Sequence, residues 1–204
     1  MNGLLSCLLL LASVSFGMTV ESFEHEVSPV FHESDALLRT EVTNRIYEAC
    51  LSEDPSLRLS ASLAKSAVEY QCYLNTSDRA WACRSVSTLT NVLTQCVALR
   101  ESERYAVCSV LAAGNYAMLK RYEEAFCLST NTATVAERCQ SNWVTNGYLT
   151  SVFRFYKLDG LNVVGAAKYV AGMSAAELGL RAAATNFAEQ VSEPFRQEIL
   201  EFTE

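Results

Sequence analysis

From about residue 34 to residue 203, apolar side chains return every three or four positions, and nowhere do they alternate with polar ones over the length of a strand. That periodicity constrains the chain more than anything else in it: it predicts helix after helix and no sheet. Punctuation agrees, because 3 Pro and 8 Gly in 204 residues leave little room for many tight turns. Asp54-Pro55 reads as a cap followed by Pro at the first helical position, opening a helix to about Leu74. Asp78 opens another, in which Ala82, Val86, Leu89 and Leu93 line one face. Ser34 is read as the cap of an earlier helix ending near Leu51, and Arg100–Ser102 as a turn. The helix through Tyr105, Cys108 and Leu111 either breaks at Gly114-Asn115 or runs on through Tyr122. Residues 128–132 read as a turn, 133–157 as a fifth helix stopped by Asp159-Gly160. An Ala/Gly-rich helix at 161–171 follows, then one opened by Ser174-x-x-Glu177, and Ser192-Glu-Pro194 starts the last. The expectation is an all-α bundle of about six or seven helices in one domain, 34–204. Its 34–157 part bears the cysteines, and its cysteine-free part, 161–203, packs on it.

The first seventeen residues fall outside that pattern. An apolar run from Leu4 to Ala12, interrupted by Ser6 and Cys7, leads to Ser15-Phe16-Gly17, with small residues where a signal peptidase looks for them. The run is shorter than the ~20 residues a membrane span needs. Met1–Gly17 is therefore read as a secretion signal, with a buried apolar helix as the competing reading. The most apolar later stretch, Leu161–Ala184, carries Lys168, Glu177 and Arg181, so no membrane span is expected.

Export changes what the cysteines mean. Of 8, Cys7 lies in the signal, and seven remain for an oxidising compartment that favours disulfides. In an antiparallel helix pair, residues equally far from the turn lie side by side. On that argument Cys72–Cys83 flank the turn at 75–78, Cys96–Cys108 the turn near Glu101, and Cys127–Cys139 the turn near 130–132. Each such clip is worth about 2–3 kcal/mol from loop closure. Cys50 is left unpaired or intermolecular, which makes a disulfide-linked homodimer one expected partner state. Cross-bundle pairing of Cys50 with Cys83 or Cys108 is the alternative. Metal binding has little to stand on: there is no Cys-x-x-Cys, and no His lies among these cysteines.

Charge separates the chain into acidic ends and a neutral body. Residues 18–35 carry −5 and 187–204 carry −4, leaving +2 for the body within a total of −7. No basic face is available for nucleic acid. The acidic segment 18–33 is expected to be a solvated leader, and its two histidines, His25 and His32, exposed. A weak imidazole–carboxylate metal site there lacks the His-Glu-x-x-His spacing that fixes ligands on one turn. Gly172-Met-Ser174 lacks the second glycine of a nucleophile elbow, so Ser174 is better read as a cap, and Glu123-Glu124 as solvated. No catalytic residue, cofactor or metal is expected. Asn75-Thr76-Ser77 is the only glycosylation sequon. Tyr148, Phe153 and Tyr156 are core or line an apolar ligand site. These features point to a secreted, non-enzymatic protein that binds an extracellular protein through its surface, or carries a small apolar ligand inside its bundle. A carboxylate-based hydrolase stands third.

Overall fold

The computed structural model describes residues 18–32, 40–138, 147–158 and 160–203, and among them it is helical throughout, with no strand. Ten α-helices are described rather than six or seven: α1 Val20–Val27, α2 Thr40–Ala49, α3 Pro55–Thr76, α4 Arg79–Leu99, α5 Ser102–Met118, α6 Tyr122–Arg138, α7 Gly147–Phe155, α8 Val163–Glu177, α9 Arg181–Ala188 and α10 Phe195–Glu201. A 3-10 turn, Ser28–His32, extends α1.

The expected caps hold two long helices. Asp54 accepts from the Ser56 amide at 2.9 Å with Pro55 behind it, and Asp78 accepts from the Ala80 amide at 2.9 Å. Helices α3 to α6 then run as successive antiparallel neighbours. Their turns are made by non-glycine residues in the left-handed region, Ser77 (φ 55°), Arg100 (φ 60°) and Lys120 (φ 61°). At the last two, the next amide reaches back five residues, Glu101 to the Cys96 carbonyl and Arg121 to that of Tyr116, both at 2.9 Å, which closes the helix end. The break after α5 thus falls at Lys120, and Gly114 lies inside the helix.

Two sequence expectations fail along α6 and α8, for one physical reason. Residues 128–132 are helix, not turn: Ser129 and Thr132 donate to the carbonyls of Ala125 (2.6 Å) and Leu128 (2.8 Å), so hydroxyls that suggested a turn are satisfied inside the helix. Ser174, read as a cap, lies buried inside α8 and donates to the Val170 carbonyl at 2.8 Å, while Asn162 caps that helix by accepting from the Gly165 amide at 2.8 Å. Tertiary packing overrides the local preference. Helix α6 presents Ala125, Ser129, Ala133 and Ala136 to a partner, α8, rich in alanine, and small side chains on both sides let the two axes approach closely. Lys168 and Glu137 form an ion pair at the edge of this contact. The Ala/Gly-rich helix therefore packs chiefly on α6, not on the aromatic helix. The aromatic α7 packs instead on the 3-10 turn, where Phe31 meets the rings of Tyr148 and Phe155 edge-on at 5.8 and 5.7 Å.

Helices α8, α9 and α10 close around a second, smaller cluster containing Ala184, Phe195 and Ile199. Gly172 is required there: a Cβ at that position would stand 2.6 Å from Ile199 Cδ1 and 3.2 Å from Phe187 Cβ. At Gly114 a Cβ would meet nothing within 4 Å. Opposite outcomes follow from one chemical change. Gly114→Ala should raise unfolding stability by about 1 kcal/mol through helix propensity, and Gly172→Ala should lower it by about 1–3 kcal/mol through overpacking, both read from urea denaturation.

Candidate binding site

Arg104, in the first turn of α5, lines a cleft against the N-terminal segment. Its Nη2 donates to Glu24 Oε1 at 2.6 Å, and both side chains are almost enclosed, 12% and 11% exposed. Ser60 of α3 donates to the same carboxylate oxygen at 2.7 Å, and the Tyr148 hydroxyl donates to the Ser60 carbonyl at 2.7 Å. Three distant stretches of chain, α1, α3 and α5, thus meet through one carboxylate, and α7 joins them through the Ser60 carbonyl. Enclosure, with the Glu24 charge nearby, pushes the Tyr148 phenol well above its ordinary range, so it serves as a fixed hydrogen-bond donor. Beside this network opens a cleft of about 860 Å³, lined by Glu21, His25, Pro29, Arg104, Tyr148 and Ser151. Its buried cation and anion are spent on each other, which makes the cleft a structural joint more than a charged receptor.

This joint corrects the reading of the acidic N-terminal segment. Phe23, Val27 and Phe31 are buried and Glu24 with them, so 18–31 is docked against the body, although His25 and Glu26 stay in solvent. The signal was present as an apolar stripe at 23, 27 and 31 and a Thr19–Ser22 capping box, but the charge run concealed it. Among the described residues no group of His, Cys, Asp or Glu side chains could hold a metal ion. His32 is the last residue of the 3-10 turn.

The aromatic residues proposed as a ligand lining part company. Tyr148 reaches the cleft, Phe153 sits in the core at 1% exposure, and Tyr156 stacks on Tyr70 with centroids 4.4 Å apart. They enclose no common cavity. Phe155 is buried among Phe31, Tyr70 and Tyr156.

A second recess lies between α4, α5 and α6. The left-handed turn at Arg100 folds α4 back into α5, and α6 crosses alongside, leaving a groove of about 460 Å³ between them. Its walls are apolar, from Val97, Tyr105, Ala106, Leu128 and Val135, with Arg100, Glu101 and Asn131 at the rim. Val97 is 67%, Val135 51% and Tyr105 38% exposed. Helical spacing marks Tyr105 within its own helix but does not show that residues of three helices share one recess.

Cys96 belongs to the floor of this groove, and Cys108 lies behind it, fully enclosed. The neighbouring Cys108 thiol, helped by Arg104, holds Cys96 below the usual thiol range; the Cys96 sulfur and burial push Cys108 well above it. All six described cysteines are unbonded thiols. Cys72 neighbours Glu69 and Tyr47, whereas Cys83 is exposed near Arg121, so nothing in the structure brings that expected pair together. The turn on which Cys127–Cys139 rested is absent: Cys127 is in mid-helix, about 16 Å along the axis from the last residue of α6 at 1.5 Å per residue, and Cys139 lies outside the described residues. Cys50 is half-buried, with Ser62 Oγ 3.9 Å from its sulfur, and burial raises its thiol. Among the described residues the exposed thiols are Cys83 and Cys127.

Asn75 is exposed in the last turn of α3, where its Oδ1 accepts from Gln71 at 3.1 Å. Glu124 is in solvent as an ion pair with Arg121 at 2.6 Å, which holds its carboxyl below the usual range. Among the described residues no helix is long and apolar enough to cross a membrane. No protein-family model, curated protein or solved structure matches the chain.

The Glu24–Arg104 joint makes a direct prediction. Arg104→Met leaves a carboxylate buried without its cation and should cost about 3–5 kcal/mol of unfolding stability. Adding Glu24→Leu to that variant should recover part of the loss in urea denaturation, because no charge is then stranded.

Proposed function

We propose that this chain is a secreted, non-enzymatic binding protein, and that it receives an apolar segment of an extracellular partner protein in the groove between the α4–α5 turn and α6. One observation carries the reading: Val97, Tyr105 and Val135 stand exposed around a recess of about 460 Å³, an arrangement that isolated surface hydrophobics do not make. Its volume falls in the range of ligand sites, but it opens to solvent along one side, where a small molecule would remain largely wet. A protein partner covers the mouth as well as the floor, and Arg100 and Glu101 supply polar contacts at the rim. The alternative, a carrier of a small apolar ligand, loses support where it was first placed, since Phe153 and Tyr156 pack against their own core.

Export fits this surface role. Cleavage after Gly17 retains Thr19, whose side chain caps α1, accepting from the Ser22 amide at 3.1 Å. Outside the cell the chain is proposed to carry an N-glycan on Asn75, which stands exposed at one end of α3. Glycosidase treatment of secreted protein should raise its gel mobility, and Asn75→Gln should abolish that shift.

The binding reading is tested with a photoreactive phenylalanine at position 105 of the secreted protein, exposed to extracellular fluid from its source. One defined cross-linked protein should appear, and Val97→Asp with Val135→Asp should cut its yield about tenfold, as loss of a desolvated anchor does. Equal yield from the same reagent at exposed position 53 would contradict the proposal, as would capture of a small apolar molecule alone.

A further inference from the structure

The groove between the α4–α5 turn and α6 has a direction. Its α6 wall is made by Leu128, Asn131, Thr132 and Val135. Their three- and four-residue spacing puts them on one face over about two turns, roughly 10 Å of helix. The opposite wall is the tip of the α4–α5 hairpin, with Val97 on one arm and Tyr105 on the other. An occupant of such a slot lies along α6.

Both walls are helical, and that decides which backbone fits between them. Within α4, α5 and α6 the amides and carbonyls are paired along each helix. At the turn, the Arg100 and Glu101 amides bond the Val97 and Cys96 carbonyls at 3.3 and 2.9 Å. The groove therefore offers a partner no row of main-chain donors and acceptors. An extended segment laid in it would have its own amides and carbonyls covered without partners, whereas a helix brings them already paired. Charge at the rim adds a second requirement. Glu101 is engaged by Arg104 at 3.7 Å, but Arg100 is exposed and pairs with no carboxylate among the described residues. No side chain caps the start of α5 beside it. The Arg100 charge and the partial positive charge of that helix start both complement a carboxylate.

We propose that the segment received in the groove is an amphipathic α-helix lying along α6, with apolar side chains at i, i+3 or i+4, and i+7 entering between Val97, Tyr105 and Val135, and a carboxylate beside that stripe meeting Arg100. This rests on the reading of the groove as a protein-binding site and specifies the conformation and chemistry of what binds there. A partner helix of about eight residues spans the α6 stripe.

The test places an aliphatic diazirine side chain at position 128 of the secreted protein and, in a separate preparation, at position 135. Each is exposed to extracellular fluid from its source, and the residues attached on the captured protein are mapped. The two positions stand roughly 10 Å apart along α6, a distance that a helical segment covers in about seven residues and an extended one in about three. Attachment sites displaced by about seven residues within one segment are expected. Arg100→Asn removes the charge and keeps a residue that tolerates the left-handed turn, so capture at 135 should fall about two- to fivefold and lose most of its salt dependence. Circular dichroism of each altered protein verifies the fold. Displacement by about three residues, or attachment to unrelated stretches, would overturn the helical assignment and leave the groove a protein-binding site. Capture of no protein from either position would overturn this inference together with the reading beneath it. Undiminished capture in Arg100→Asn would overturn the carboxylate.

Discussion

A single carboxylate fixes the N-terminal segment 18–32 to the rest of the molecule. Glu24 lies on a helix of eight residues, too short to persist alone in water, and that helix stays folded because it is docked. Phe23, Val27 and Phe31 supply the apolar part of the docking, but apolar side chains alone do not specify a register. The pair with Arg104, reinforced by Ser60, does, since a buried charge has one position in which its partner meets it. With α1 seated, the 3-10 turn brings Phe31 against Tyr148 and Phe155, and α7 acquires the surface it packs on. Arg104 is therefore a hinge pin as well as a charge, closing one side of the cleft.

The remaining architecture follows from side-chain size. Long helices α3 to α6 are held by caps and by three left-handed turn residues, and their spacing is set by what they present to each other. Where α6 meets α8, alanine and serine allow close approach; where α7 meets α3 and the 3-10 turn, aromatic rings keep elements apart. The groove arises at the boundary of these regimes, where α4 turns into α5 beside a helix drawn inward toward α8. Its exposed Val97 and Val135 face solvent because the geometry of the turn leaves them no neighbour.

Much of this was legible in the residues, and the failures have a common cause. Asp54-Pro55 and Asp78 announced α3 and α4 because capping is local, and the helical spacing from Ala82 to Leu93 was decisive for the same reason. Ser129 and Thr132 misled because their hydroxyls bond either a turn or a preceding helical carbonyl, and only contact with α8 decides between them. Ser174-x-x-Glu177 had the spacing of a capping box but lay inside a helix that Asn162 had already opened. The docked α1 was hidden by its own charges, one of which turned out to be the buried link to Arg104, a residue 80 positions away that no local pattern connects to it. The groove was beyond reach for the same reason, since Cys96, Tyr105 and Val135 are joined only by the path of the chain. Turn symmetry suggested a clip between Cys96 and Cys108, and the structure leaves both as buried thiols.

Hydrogen exchange followed by mass spectrometry tests the central claim most directly, by timing the backbone amides of residues 20–31 in the secreted protein and in Arg104→Met. The account predicts amides in that segment protected to a degree comparable with α3 and α5, and protection there lost in the variant while α8 keeps its own. Exchange at free-chain rates across 20–31 in the unaltered protein, or protection indifferent to Arg104, would contradict it.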